Sequence, residues 1–298
     1  MSKLECDKQA NHSTRNAAIL FALILIGVYA PLIFLNQTYL IHNPVPSEYL
    51  SVDSKSTIFG ITIDYSMYGN YSVIKLASDM ILDGKVPLWN PHVGVGYPMF
   101  ADTTHHIFSP LNAGFLLPVE LWDLPFLALL WIAGFATFLF LRNLGINFVG
   151  SITGGLFYML SGCFTLYLPN PNPFVMFATP LILLSLDKTI QNKNPKYIIL
   201  LSLSFGFSVL GGHLQSLILQ FLLISSYFLY RFTSIYLIKS KISTSIEQPI
   251  QNMKNSFLRV FLGFLGGLGI TAFYIFPVVE FFQNGILERS DRKSTRLN

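Results

Sequence analysis

The chain has 298 residues, of which 52% are hydrophobic and only 11% charged. Soluble domains carry about 25% charged residues, so a water-soluble globular protein is excluded: too little charge is present to cover its surface. The net charge of +4 does not argue for a nucleic-acid partner, because the basic residues fall in short loops between apolar runs, where they orient a membrane protein.

The apolar residues come in runs near the length needed to cross a hydrocarbon core of roughly 30 Å. Seven such runs are read in chain order: 17–35, 124–141, 148–168, 174–186, 197–210, 214–230 and 257–276. They predict an all-α integral membrane protein with about seven transmembrane helices. Runs 174–186 and 197–210 are short enough to lie with little tilt or to be partly re-entrant. The first run has no small-x-small cleavage site after it and reads as an uncleaved anchor.

Lys3, Lys8 and Arg15 precede the first run. Arg142, then Lys188, Lys193 and Lys196, then Arg231, Lys239, Lys241, Lys254 and Arg259 follow on alternate connections. The other short connections hold no Lys or Arg, which places the N-terminus in the cytoplasm by the positive-inside rule. The polar stretch 231–257 then reads as a mobile cytoplasmic connection. Cys6 and Cys163 are read as free thiols. Glycines four apart, Gly263 with Gly267 and Gly150 with Gly154, mark faces where helices approach closely.

The first outer loop, 36–123, is acidic and too long for a structureless connection. Within it, 67–82 reads as an amphipathic helix, with Tyr71, Ile74, Ser78 and Ile81 at three- and four-residue steps. Asp83-Gly84 ends it. At a bilayer interface its Tyr71, Ile74 and Ile81 would face lipid. The apolar segment 110–124 dips into the membrane or lies along it.

Chemistry-bearing side chains gather on this outer side. Asp64 lies before the amphipathic helix; it serves as a general base toward a hydroxyl or as a helix N-cap. Asp102, His105 and His106 follow a Gly/Pro-rich turn, and the histidines are read equally well as solvated loop residues. His213 and Gln215 sit in a tight turn, where His213 can simply hydrogen-bond the backbone. A single Asp-x-x-His pair does not define a metal site; no metal and no cofactor are expected. Lys75, Lys85, His105 and His106 are the local candidates for holding a phosphate.

The run Gly84-Lys85-Val86-Pro87-Leu88-Trp89-Asn90-Pro91 is followed by Gly94-Val95-Gly96-Tyr97-Pro98, Ala101-Asp102 and Phe108-Ser109-Pro110-Leu111-Asn112. With Gly212-His213-Leu214-Gln215, Phe276-Pro277, Glu280 and Arg289, the chain resembles the YfhO family of bacterial membrane proteins over nearly its whole length. Leu214 stands where that family usually has proline. The resemblance implies a GT-C-like fold and a glycosyltransferase that moves a sugar from a polyprenyl-phosphate carrier to an extracytoplasmic acceptor such as a cell-wall polymer. It implies Asp64 as catalytic base, and Asp102 is the next catalytic candidate. Lys75, Lys85, Trp89, Asn90, His105, His106, His213 and Gln215 become substrate-binding candidates. It further implies that residues 1–289 are the opening part of a longer transmembrane domain. The tail 290–298, whose Arg292, Lys293 and Arg296 break the charge alternation, is read as truncated or non-native. The rival readings are a transporter or flippase of lipid-linked precursors, and a non-catalytic membrane assembly protein.

Overall fold

The computed structural model describes residues 3–34, 57–58, 61–62, 65–118, 121–165, 167–168, 170–242 and 247–294. Helices dominate: α1 (Lys3–Val28), α2 (Ala30–Phe34), α3 (Tyr65–Leu82), α4 (Leu124–Asn143), α5 (Phe148–Met159), α6 (Gly162–Thr165), α7 (Pro171–Met176), α8 (Thr179–Gln191), α9 (Lys196–Leu210), α10 (Leu214–Ile242), α11 (Glu247–Ile270) and α12 (Ala272–Ser294). A two-residue hairpin, β1 (Thr57–Ile58) against β2 (Ile61–Thr62), is the only strand pairing among the described residues.

Among the described residues, four helical stretches are long and apolar enough to cross a bilayer: Leu124–Asn143, Phe148–Thr165, Pro171–Gln191 and Leu214–Ser234. A fifth forms if the bent pair Met253–Ile270 and Ala272–Asn284 is one span. Several membrane-crossing candidates in one chain make this the architecture of a multi-pass membrane protein. The Pro171–Gln191 stretch is 72% buried and sits at the centre, packed by α4, α9, α10 and α11, whereas Leu214–Ser234 is only 17% buried. Leu214, Ile218, Leu219, Leu222 and Leu223 of α10 are exposed, a face suited to lipid, whose tails are as apolar as leucine.

Small residues set the closest contacts. A Cβ on Gly263 would lie 2.6 Å from Leu201 Cδ2, and one on Gly267 would lie 2.9 Å from the Ser202 carbonyl oxygen, so α11 and α9 pack almost backbone to backbone. The Ser202 hydroxyl donates to the Gly263 carbonyl at 2.9 Å across this seam. On α5 the expectation needs correcting. Gly154 meets Leu141, and Gly155 lies against the Gly134 backbone, but Gly150 touches only Ile146 and Asn147, its own N-cap residue.

Three further expectations change. Ile74 is 4% exposed and belongs to the main core with Phe115, Trp122 and Phe126. It therefore faces protein rather than lipid, while Ile81 is exposed; the side chain of Tyr71 lies outside the described residues. The run 257–276 is not one straight helix, because the chain bends by 70° between α11 and α12. Thr271 sits at the bend, with its hydroxyl donating to the Gly267 carbonyl at 2.9 Å; such back-bonding bends helices. Finally, 231–257 is mostly helical, since α10 runs on to Ile242 and α11 starts at Glu247.

At the end of the bundle where α4 and α8 finish, Asp187 is fully buried. Its carboxylate accepts from Arg231 Nε, Asn143 Nδ2 and Gln191 Nε2, all at 2.5 Å. One carboxylate thereby ties α4, α8 and α10 together.

Candidate functional site

The opposite end carries the described part of the long loop. α3 stops in a Schellman motif: Gly84 N–H donates to Ile81 O and Lys85 N–H to Met80 O, with Gly84 at φ +74°, where glycine has no Cβ to clash. The chain then turns back on itself, Asn90 and Tyr97 exchanging both backbone hydrogen bonds at 2.9 and 3.0 Å. The Trp89 indole lies over Gly96, where a Cβ would stand 2.4 Å from Nε1.

A 3-10 turn, Met99–Ala101, buries Met99 against Val73 and Ala77 of α3. Asp102 follows. Its Oδ1 accepts from Thr104 N–H at 2.8 Å, an Asx turn, and its Oδ2 lies 3.3 Å from His105 Nε2. Burial pushes the His105 imidazole below its ordinary pKa, and the Asp102 charge pulls the other way. Tyr97 is raised, first by burial and then by Asp102, against a hydrogen bond from Asn90.

Two distant elements close on this loop. Gly212, at φ +78°, brings the α9–α10 turn so near that a Cβ there would stand 2.4 Å from Thr103 O and 3.2 Å from the Tyr274 hydroxyl. α12 docks through rings: Phe108 lies 5.8 Å from Phe273, 6.0 Å from Tyr274 and 4.5 Å from Phe100, centroid to centroid. The bend at Thr271 is what lets α12 reach the loop.

Of the sequence candidates, Asp102, His105 and Asn90 gather here. His106 does not join them. It is 1% exposed, has φ +42°, and turns its ring edge-on to Phe174 at 3.8 Å with neither nitrogen partnered. Burial pushes it down to about 3, so it is neutral and no phosphate ligand as placed. His213 caps α10: its Nδ1 accepts from Ser216 N–H at 3.1 Å, the N3 donor that an N-cap side chain satisfies. That leaves the proton on Nε2, and burial pushes this imidazole down as well. Gln215 is exposed beside it. Lys75 and Lys85 stand apart on the surface, paired with Asp79 at 3.1 Å and Asp83 at 3.2 Å. Trp89 is half-exposed. Asp64 lies outside the described residues.

Sequence reasoning missed Tyr97, Tyr274 and Asn112 as members of the loop end. Tyr97 and Asn112 lie in the motifs 94–98 and 108–112; nothing in spacing marks Tyr274. It also missed Asp187, which directly follows the apolar run 174–186 beside Lys188. Among the described residues no group of three or more His, Cys, Asp or Glu side chains could hold a metal ion. Comparison of the chain with protein-family models, with curated proteins and with solved structures returns no match.

Proposed function

We propose that this chain is a membrane glycosyltransferase of GT-C type, crossing the bilayer about seven times with a cytoplasmic N-terminus. It transfers a sugar from a polyprenyl-phosphate carrier to an extracytoplasmic acceptor such as a cell-wall polymer. The observation that carries this reading is the half-buried Asp102–His105 pair where loop, α9–α10 turn and α12 meet. The His105 imidazole orients the Asp102 carboxylate, and a carboxylate so held can take part in proton transfer. The acceptor hydroxyl loses its proton as its oxygen attacks the anomeric carbon, the sugar–phosphate C–O bond breaks, and the phosphate leaves on the carrier. The family resemblance assigns the base to Asp64; Asp102, oriented by Thr104 and His105, is the second carboxylate. Lys75 and Lys85 sit in exposed pairs worth little to stability, so either can exchange its carboxylate for a phosphate.

The test is sugar transfer in membrane vesicles loaded with a polyprenyl-phosphate sugar. Asp64→Asn is expected to lose about 10²- to 10⁴-fold in rate with unchanged thermal stability. If Asp64→Asn stays within a few-fold and Asp102→Asn loses activity, the base is Asp102; if neither loses it, the transferase reading fails. Orientation is read separately: an impermeant thiol reagent on intact cells labels Ser54→Cys and not Gln248→Cys.

The transporter reading has one observation to weigh, the buried Asp187. Ionisable groups within spans mark transport pathways. Asp187, however, lies one turn from the end of α8 with both oxygens occupied, as a structural tie would be.

A further inference from the structure

Residues 84–97 form a finger whose surface is inverted for a hairpin standing in water. Asn90 and Tyr97 close it by their exchanged backbone bonds, and Gly96 N–H donates to Val93 O at 2.9 Å across the tip. Gly94 and Gly96, at φ +59° and +88°, make the turn. A hairpin with one solvated side turns its apolar residues inward and its polar ones outward. Here the polar Asn90 is buried beside Pro87, while Val86, Leu88, Trp89, Val93 and Val95 are exposed, Val95 completely. Lys85 at the base is the one Lys, Arg, Asp or Glu in 84–97, and Asp83 pairs with it at 3.2 Å.

The surface next to the finger says what covers it. Ile81 and Leu82, at the end of α3, are exposed before its base. Ile81 and Leu116 wall one cleft, and exposure continues through Leu117 and Leu121 to Leu124, the first residue of the membrane-crossing α4. The apolar surface thus runs from the finger to a membrane span, interrupted only at the finger's base by the Asp83–Lys85 pair. Valine and leucine offer a sugar or another polar ligand no hydrogen bond, whereas indole rings settle at the membrane–water interface. The spans already hold the bilayer beside the finger, so covering it with lipid costs no association entropy of the kind a separate partner pays. Backbone groups of a turn cannot all be paired in hydrocarbon, so such a finger stops where water still reaches.

We infer that the finger 84–97 inserts its tip into the interfacial layer of the bilayer that α4 crosses. Val93 and Val95 sit at the headgroup–acyl boundary and Trp89 among the headgroups. The partner is the lipid surface itself, whatever the charge of its headgroups. The inference does not rest on the glycosyltransferase reading.

The experiment is spin labelling of the full chain at Val95→Cys, with Cys6→Ser and Cys163→Ser removing the native thiols, in phosphatidylcholine vesicles. Collisions of the nitroxide are measured with oxygen, which concentrates in the bilayer, and with a water-soluble nickel chelate, which stays outside it. The label is expected about 5–10 Å below the headgroup surface, with an oxygen-to-nickel ratio several-fold above that of Asn192→Cys in the exposed α8–α9 turn. Should Val95→Cys fail to fold, Val93→Cys reads the same tip. Val95→Asp should raise nickel collisions at a Val93→Cys label several-fold, since a charge resists transfer from water. A tip label as open to nickel as Asn192→Cys means a solvated finger and overturns the inference. So does low collision with both reagents, the signature of cover by protein such as a second copy, and so does no response to Val95→Asp. The depth should be the same when phosphatidylglycerol is mixed in; insertion with the anionic lipid alone also overturns it.

Discussion

At the end of the bundle where α4 and α8 finish, every oxygen of the Asp187 carboxylate has a donor. At the loop end, His106, Ser109, Asn112 and Tyr274 keep buried polar atoms with none. Tyr227 Oη and Arg259 Nε lack a partner near the Asp187 end too, so the difference lies in the carboxylate itself, which is fully satisfied. A buried network pays back its desolvation only when each member is satisfied. The Asp187 carboxylate is a finished tie. The loop end carries the cost of unpaired groups, and that cost is recovered when a ligand or water supplies the missing partner.

Breaking the finished tie should have the largest effect. Arg231→Leu leaves a fully buried carboxylate facing only neutral amides and should destabilise the protein by about 3–5 kcal/mol. Thermal unfolding in detergent measures it. The double variant Asp187→Leu with Arg231→Leu should recover most of the loss; no recovery would mean the tie is not what Arg231 supplies.

The open end should instead answer to acid. His106 titrates near 6.5 when unfolded and at about 3 when folded, so the unfolded chain binds the proton more readily. Its contribution is intact above pH 6.5 and falls as pH drops toward 3, by on the order of 2 kcal/mol at pH 5. Melting curves between pH 7.5 and 5 test this against His106→Asn, since asparagine tolerates the positive φ. An unchanged pH slope in the variant would remove His106 as the cause.

Gly212 sharpens the comparison by loosening the loop end through its turn while leaving each unpaired side chain in the sequence. Gly212→Ala strains a φ of +78° and pushes a Cβ into Thr103 O; a loss of about 1–2 kcal/mol is expected. Proteolysis of the loop at 103–109 should rise with it, and a stable, protease-resistant variant would show the turn and loop are not mutually supported. The smallest effect belongs to the surface. Lys75→Ala should change the melting temperature by the equivalent of less than about 0.5 kcal/mol, and a larger loss would show that the Asp79 pair is structural.

The membrane class was legible because the apolar runs state it directly. The end of α3 was legible because Asp83-Gly84 can form the left-handed cap that Gly84 does form. The gathering of Asp102 and His105 followed from three-residue spacing in a turn. The lipid-facing assignment of Ile74 failed because periodicity identifies an apolar face but not what covers it; the segment that does so, Phe115, lies about forty residues later. The 70° bend was hidden inside one continuous apolar run, 257–276.

Composition and the spacing of apolar runs thus determined that this is a helical membrane protein with a long polar loop after its first helix. They could do so because transfer into lipid is a property of each segment alone. Tertiary structure decided the pairings. Asp187 meets Asn143 and Arg231 across forty-four residues in either direction, and α12 reaches the loop only through a bend three residues before Tyr274. It also decided which polar atoms go unpaired, such as His106 against Phe174. Such partnerships depend on which surfaces the packed helices bring together, and no local pattern encodes that.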